Sequence, residues 1–187
     1  MTVIHPATIQ DLESVPENSK AELVDGALVV MSPTGFLPNY ASGEIYASLR
    51  EYARHHRTGY AIGDNAGFIV NLPHRTSFSP DAAFYIGKPT GMRFLEGAPV
   101  FAVAVRSEHD YGKTAEQEMA QKRDDYFAAG TLVVWDVDIL STDVIRVYRA
   151  NDPNTPTIYR RGDFAEAEPA VPNWTFQVDD ILPYAVN

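Results

Sequence analysis

Residues 100–138 decide the fold: VFAVAV (100–105), then GKTAEQEMAQKRDDYFAAG (112–130), then TLVVWDVD (131–138). The first and last segments are short apolar runs rich in valine and aromatics, the pattern of strands buried on both faces. The middle segment is mostly polar, with apolar residues at helical spacing, and it closes at Gly130, where a helix end benefits from left-handed backbone geometry. Strand, helix, strand in that order is a crossover unit, which favours parallel pairing of the strands it joins. A helix over 113–129 therefore lies against a sheet whose best candidate for its centre is 100–105, and the class is α/β.

Working outward, Ile9 to Val15 reads as a short helix after Thr8, ended by Pro16. ELVDGALVVM (22–31) reads as two short strands around Asp25-Gly26, a pair suited to a tight hairpin turn. Residues 32–38 are loop. Ile45, Leu49, Tyr52 and His56 fall at helical spacing, so 39–56 is a long amphipathic helix closed near Gly59. YAIG (60–63) and GFIVNL (67–72) are strands, and Pro80 to Ile86 is another, entered through a proline that cannot donate to a ladder. Residues 143–149 and 156–160 form a peripheral hairpin, and NWTFQVDDIL (173–182) is a final edge element. No repeat or linker divides the chain, and 187 residues at 45% hydrophobic content suffice for one domain over 1–187.

The chain has no cysteine, which excludes disulfides and thiolate zinc sites and fits a reducing interior. MTVIHPATIQDLESV carries no secretory leader, and no apolar run approaches the roughly 20 residues that span a bilayer. A cytoplasmic location without membrane contact is the expectation. The formal charge of −10 opposes strong nonspecific binding to nucleic acid, so any such role rests on a local site. The basic cluster Arg50, Arg54, His55, His56 and Arg57 falls at a helix end, where cations offset the dipole.

Strand side chains alternate faces, so positions 104 and 106 point the same way. On the following helix Lys122 falls in the stripe of Ala115, Met119 and Tyr126. Either its stem packs while the ammonium snorkels to water, or the ammonium reaches a site at the end of the sheet. Asp81, entering an apolar strand, is either a turn residue or a second polar group of that site. Acids and a lysine so grouped can hold hard cations beside a phosphodiester. Other chemistries lack their parts. The glycines of YAIGDNAGF have no following lysine and hydroxyl for a phosphate loop, the histidines lack zinc-protease spacing, and SEHDYG is no nucleophile elbow.

ELVDGALVVMSPTG, the Pro80-Asp81 pair, FAVAVRSEHDYG and KRDDYFAAGTLVVWDVD, in that order from Glu22 to Tyr148, resemble the Uma family of restriction-endonuclease-like proteins in the PD-(D/E)XK nuclease superfamily. The resemblance implies a restriction-endonuclease-like core, with a mixed central sheet flanked by helices and carrying extra β-hairpins. It implies Asp81 as a metal-binding aspartate, Lys122 as the catalytic lysine relocated to the helix, and Glu22 as an acid able to approach the metal. Arg106 stands where the simpler motif carries its lysine. Position 104 matches the motif glutamate and is alanine in this chain, while Asn39 stands where the family has a histidine. A methyl group ligates no magnesium, so binding of Mg (or Mn) is expected to be weak and hydrolysis impaired. Ala104 has three readings, natural loss, deliberate substitution or a role that needs no cleavage, and the intact VFAV and VRSEHDYG around it, with Asp81 and Lys122 present, favour a recent or engineered single change.

The resulting expectation is a metal-dependent DNA endonuclease with a compromised site at Asp81, Ala104, Arg106 and Lys122. Its rival is a noncatalytic binding or assembly module on the same fold. A homodimer is expected, because double-strand cleavage needs two sites, with residues 143–160 offering an interface.

Overall fold

The computed structural model describes residues 6–16 and 19–184. Thr8 caps α1 (Ile9–Glu13) through a capping box with Asp11. The hairpin β1 (Lys20–Val24) and β2 (Ala27–Met31) turns at Asp25 and Gly26, whose φ angles of 49° and 70° are those the Asp-Gly pair tolerates.

Helix α2 (Phe36–His56) starts earlier than its apolar spacing predicts. Pro38 sits in its first turn, where the N–H that proline lacks has no intrahelical partner anyway. The helix closes at Arg57 in left-handed conformation, φ 54°, and not at Gly59. Gly59 is needed for another reason: a Cβ there would lie 2.7 Å from the Phe84 ring and the Tyr85 carbonyl.

The remaining strands are β3 (Tyr60–Ile62), β4 (Phe68–Ile69), β5 (Ser77–Phe78), β6 (Ala82–Tyr85), β7 (Leu95–Glu96) and β8 (Phe101–Val105). After helix α3 (Lys113–Ala128) come β9 (Val133–Val137), β10 (Ile145–Arg149), β11 (Asp152–Tyr159), β12 (Phe164–Ala167) and β13 (Val171–Gln177). The main sheet has six strands in the order β11-β10-β9-β8-β6-β3. Its inner pair β8 and β9 is parallel, as the crossover through α3 predicts, and its other pairs are antiparallel. The expected mixed α/β sheet is therefore present.

One strand expectation changes. GFIVNL contributes only the two residues of β4, which join β5 and β7 in a separate small sheet. The peripheral hairpin of 143–160 is present as β10 and β11, and it extends the main sheet because β10 bonds along β9.

One face of the sheet is covered by α2 and by the β12–β13 hairpin. Ile45, Leu49 and Tyr52 pack there with Phe84, Phe101 and Trp135. Trp174 of β13 stacks on Trp135 at 5.2 Å between ring centres. The opposite face packs Ala83, Ala102 and Val134 against Tyr126 of α3 and the aromatics Phe68 and Phe78. No helix among the described residues is long and apolar enough to cross a membrane.

Trp174 is 3% exposed, so truncating it leaves a cavity beneath the hairpin. Trp174→Ala is expected to cost about 3–5 kcal/mol. Urea unfolding checks this as a lower midpoint at nearly unchanged slope.

Candidate active site

The register of the sheet builds the site. Ala82 pairs with Val103 and Ala83 with Ala102, and the Asp81 N–H donates to the Val103 carbonyl at 3.0 Å. Asp81 therefore continues that register opposite Ala104. Partners across antiparallel strands share a face, so the two point the same way. On the other side Ala104 pairs with Asp136, and Asp136 pairs with Arg146. A polar row crosses four strands, with a methyl group in its middle. The α3 residues Met119, Lys122 and Tyr126 lie over this methyl and line with Ala104 and Asp136 a partly open pocket of about 30 Å³.

Lys122 does not merely snorkel to water. Its Nζ lies 2.7 Å from Glu22 Oε1, joining α3 to the β1–β2 hairpin. Glu22 is seated because β1 docks on the segment before β6: the Leu23 N–H donates to Ser77 Oγ and the Thr76 N–H donates to the Leu23 carbonyl. Glu22 Oε1 also accepts the Ser79 N–H at 2.8 Å, and Oε2 accepts from Arg75 Nη1 at 2.7 Å.

Arg75 uses Nε on Asp125 Oδ2 at 2.7 Å, and the other Asp125 oxygen meets His74 Nε2 and Gln121 Nε2. Burial alone would raise the pKa of Glu22, but the charges of Lys122 and Arg75 hold it below the ordinary carboxylate range. For Asp125 burial again acts upward, and hydrogen bonds from Arg75, Gln121 and His74 outweigh it.

Asp81 is equally engaged. Its Oδ2 accepts the Val105 N–H at 2.7 Å and its Oδ1 meets Lys20 Nζ at 2.5 Å. Arg106 lies on the face of Ala104, yet its fork closes on neighbours. Nε and Nη2 bind the two Asp136 oxygens at 2.8 and 2.7 Å, and Nη1 and Nη2 both reach Glu116. These hydrogen bonds, Asp136 first, raise its pKa against the effect of burial. Arg106 thus ties β8 to β9 and to the start of α3.

Among the described residues the hydroxyls of Tyr126 and Ser79 are buried without a hydrogen-bond partner. Burial, then the charges of Glu22 and Asp81, push the Tyr126 phenol up, which puts this orphan donor within reach of the site's field. Asn39 lies exposed in the first turn of α2.

A divalent cation is what the family likeness leads one to expect, but the donor set does not fit one. No group of three or more histidine, aspartate and glutamate side chains among the described residues could hold a metal ion. Glu22, expected near a metal, has both oxygens bound to Lys122, Arg75 and Ser79. Asp81 carries an ammonium and an amide, and Ala104 offers no ligand.

Lys20, Asp64, His74, Arg75, Asp125 and Asp136 escaped the sequence reading. Asp136 carried a signal, as an acid inside the apolar run VVWDV, and so did Asp125, beside Tyr126 on the Lys122 face. Arg75 carried none, because its partners lie 53 and 50 residues away.

A family model named Uma2 and described as "Putative restriction endonuclease" matches residues 6–179. No curated protein matches the chain. Among solved structures the chain is similar to the crystal structure of "a putative nuclease belonging to DUF820" from Anabaena variabilis ATCC 29413. The two share 15% identity with a TM-score of 0.72 over 94% of this chain and 97% of that one, which makes the fold a shared one.

Arg75→Met leaves two buried carboxylates short of their cation and is expected to cost about 3–5 kcal/mol in chemical unfolding. The native protein is expected to lose stability in acid. Glu22 and Asp125 have lowered folded-state pKa values, so their contribution is complete above the unfolded values of about 4 and disappears as pH falls through the lower folded ones. Melting temperatures from pH 7 down to 2 test this, and Arg75→Met should flatten the slope.

Proposed function

Because the chain belongs to the Uma2 family of restriction-endonuclease-type proteins, we propose that it is a DNA phosphodiester endonuclease by descent whose hydrolytic step is disabled at position 104. One observation carries this reading: the Ala104 methyl occupies the middle of the Asp81, Asp136 and Arg146 row beneath Lys122, beside a pocket of about 30 Å³. The pocket is partly open, and its volume leaves room above the methyl for a longer side chain.

A glutamate there would bring a carboxylate beside Asp81, making the acid pair that a hard cation such as Mg or Mn takes together with substrate phosphate and water. In such a variant, with Asp81 and the glutamate at 104 as the residues that would hold it, the cation would supply activation of water and screening of phosphate charge. On this reading Lys122 would supply the ammonium for the scissile phosphate; the Glu22 carboxylate that it meets is itself held by Arg75. Arg106 holds Asp136 and α3 in place and is a positioning residue.

The second reading, a noncatalytic binding module, is favoured by one fact: Glu22, Asp81, Asp125 and Asp136 are each already paired with a cation of the chain. We assign the protein to the cytoplasm, as its cysteine-free composition fits. We further propose a two-fold dimer, which would supply the two sites of double-strand cleavage, with β11 at the outer edge of the six-stranded sheet as its contact.

Plasmid nicking with Mg or Mn tests the primary reading. The native chain is expected to leave supercoiled DNA essentially intact, and Ala104→Glu to nick it on the order of 10²-fold faster or more. Adding Lys122→Met to that variant should remove the gain. A folded Ala104→Glu protein that binds metal and does not cut DNA supports the binding-module reading instead.

A further inference from the structure

Lys20 is unusual among the lysines of this chain because two carboxylates from different segments share its ammonium. Nζ lies 2.7 Å from Oδ1 of Asp64, in the turn after β3, and 2.5 Å from Oδ1 of Asp81, at the entry to β6. Only 16% of the Lys20 side chain is exposed, against 34% for Asp64 and 26% for Asp81, so the ammonium is largely covered while its two carboxylates stay partly in water. Burial acts to discharge the amine, but the charge of Asp81, with Asp64, outweighs it and holds the pKa above the ordinary lysine value. The group is therefore a permanent cation at neutral pH.

Asp81 is the acid next to Ala104 in the row, so this ammonium sits against an oxygen that a hard cation would take. A tethered ammonium keeps that place without the cost of capture from solution, whereas a divalent ion must displace it. Asp64 strengthens the hold, because it anchors the same ammonium beside Asp81.

We infer that Lys20 is a built-in cation that occupies the Asp64 and Asp81 carboxylate pair and excludes a divalent metal from it. This rests on the nuclease reading of the site only in the choice of metal as competitor. The missing acid at 104 is then one of two barriers to metal binding, and Lys20 is the other. Removal of the ammonium leaves two carboxylates facing each other without a counterion, a pair that recruits a divalent ion.

Calorimetric Mn²⁺ titration of Ala104→Glu, alone and combined with Lys20→Met or Lys20→Arg, tests this. The Met combination is expected to bind about tenfold tighter or more, the scale on which groups around a metal ligand act. The Arg combination, which retains the charge, should match Ala104→Glu alone. Should glutamate at 104 prevent folding, melting temperature supplies a second readout: Mn²⁺ should raise that of Lys20→Met and leave that of the native chain unmoved. Equal Mn²⁺ affinity with Lys, Met and Arg at position 20 overturns the inference, as does a native chain stabilised by Mn²⁺ as strongly as Lys20→Met. DNA cleavage is not read in this experiment. If Lys20→Met tightens Mn²⁺ while Ala104→Glu cuts no DNA, the inference stands and the endonuclease reading falls; if Ala104→Glu cuts DNA and position 20 leaves affinity unchanged, the reverse holds.

Discussion

The guanidinium of Arg75 lies between two buried carboxylates, Glu22 on the hairpin and Asp125 on α3, and the site depends on that placement. The hairpin, the segment entering β5 and α3 are joined through one planar cation, beside the stacked rings of Phe78 and Tyr126. An arginine suits this position because its fork offers donors in fixed directions and stays charged when buried. With Glu22 fixed, its second oxygen orients Lys122 over Ala104. A buried network of this kind adds little net stability against apolar packing, but loss of one member strands the others, so it specifies geometry more than it stabilises.

The same principle of local charge balance recurs along the sheet. Lys20 compensates Asp64 and Asp81, Arg106 compensates Asp136 and Glu116, and Arg146 lies near Asp136 and Asp138. The chain carries a net charge of −10, yet the acids of this region are matched by its own cations. Such balance holds the geometry of the site and leaves few free donors for an external cation. The acids beside Ala104 take their partners from the chain's own cations, so the frame needs no carboxylate at that position.

Much of the candidate site was legible from alternation and spacing. Asp81, Ala104 and Lys122 come together because strand residues two apart share a face and the crossover helix returns over the sheet. Arg106 shows the limit of that reasoning. Its face follows from alternation, but the direction of its fork follows from Asp136 on the next strand and Glu116 on the helix, and periodicity contains neither. Lys20, Asp64 and Arg75 were invisible for the same reason. Each is an ordinary polar residue of a strand end or loop, and only its distant partner distinguishes it.

The sequence by itself determined the crossover, the parallel inner strands, the Asp-Gly hairpin and the absence of an acid at position 104. These depend on side-chain period, on backbone angles open to particular residues, and on composition, all of them local properties. Tertiary structure alone decided which cation meets which carboxylate, because ion pairs form between residues tens of positions apart and nothing in their immediate neighbours encodes the partner. It also decided that β10 extends the main sheet and that the β12–β13 hairpin closes the aromatic core, since hydrogen bonding along a strand edge and the burial of Trp174 on Trp135 exist only once the sheet has been assembled.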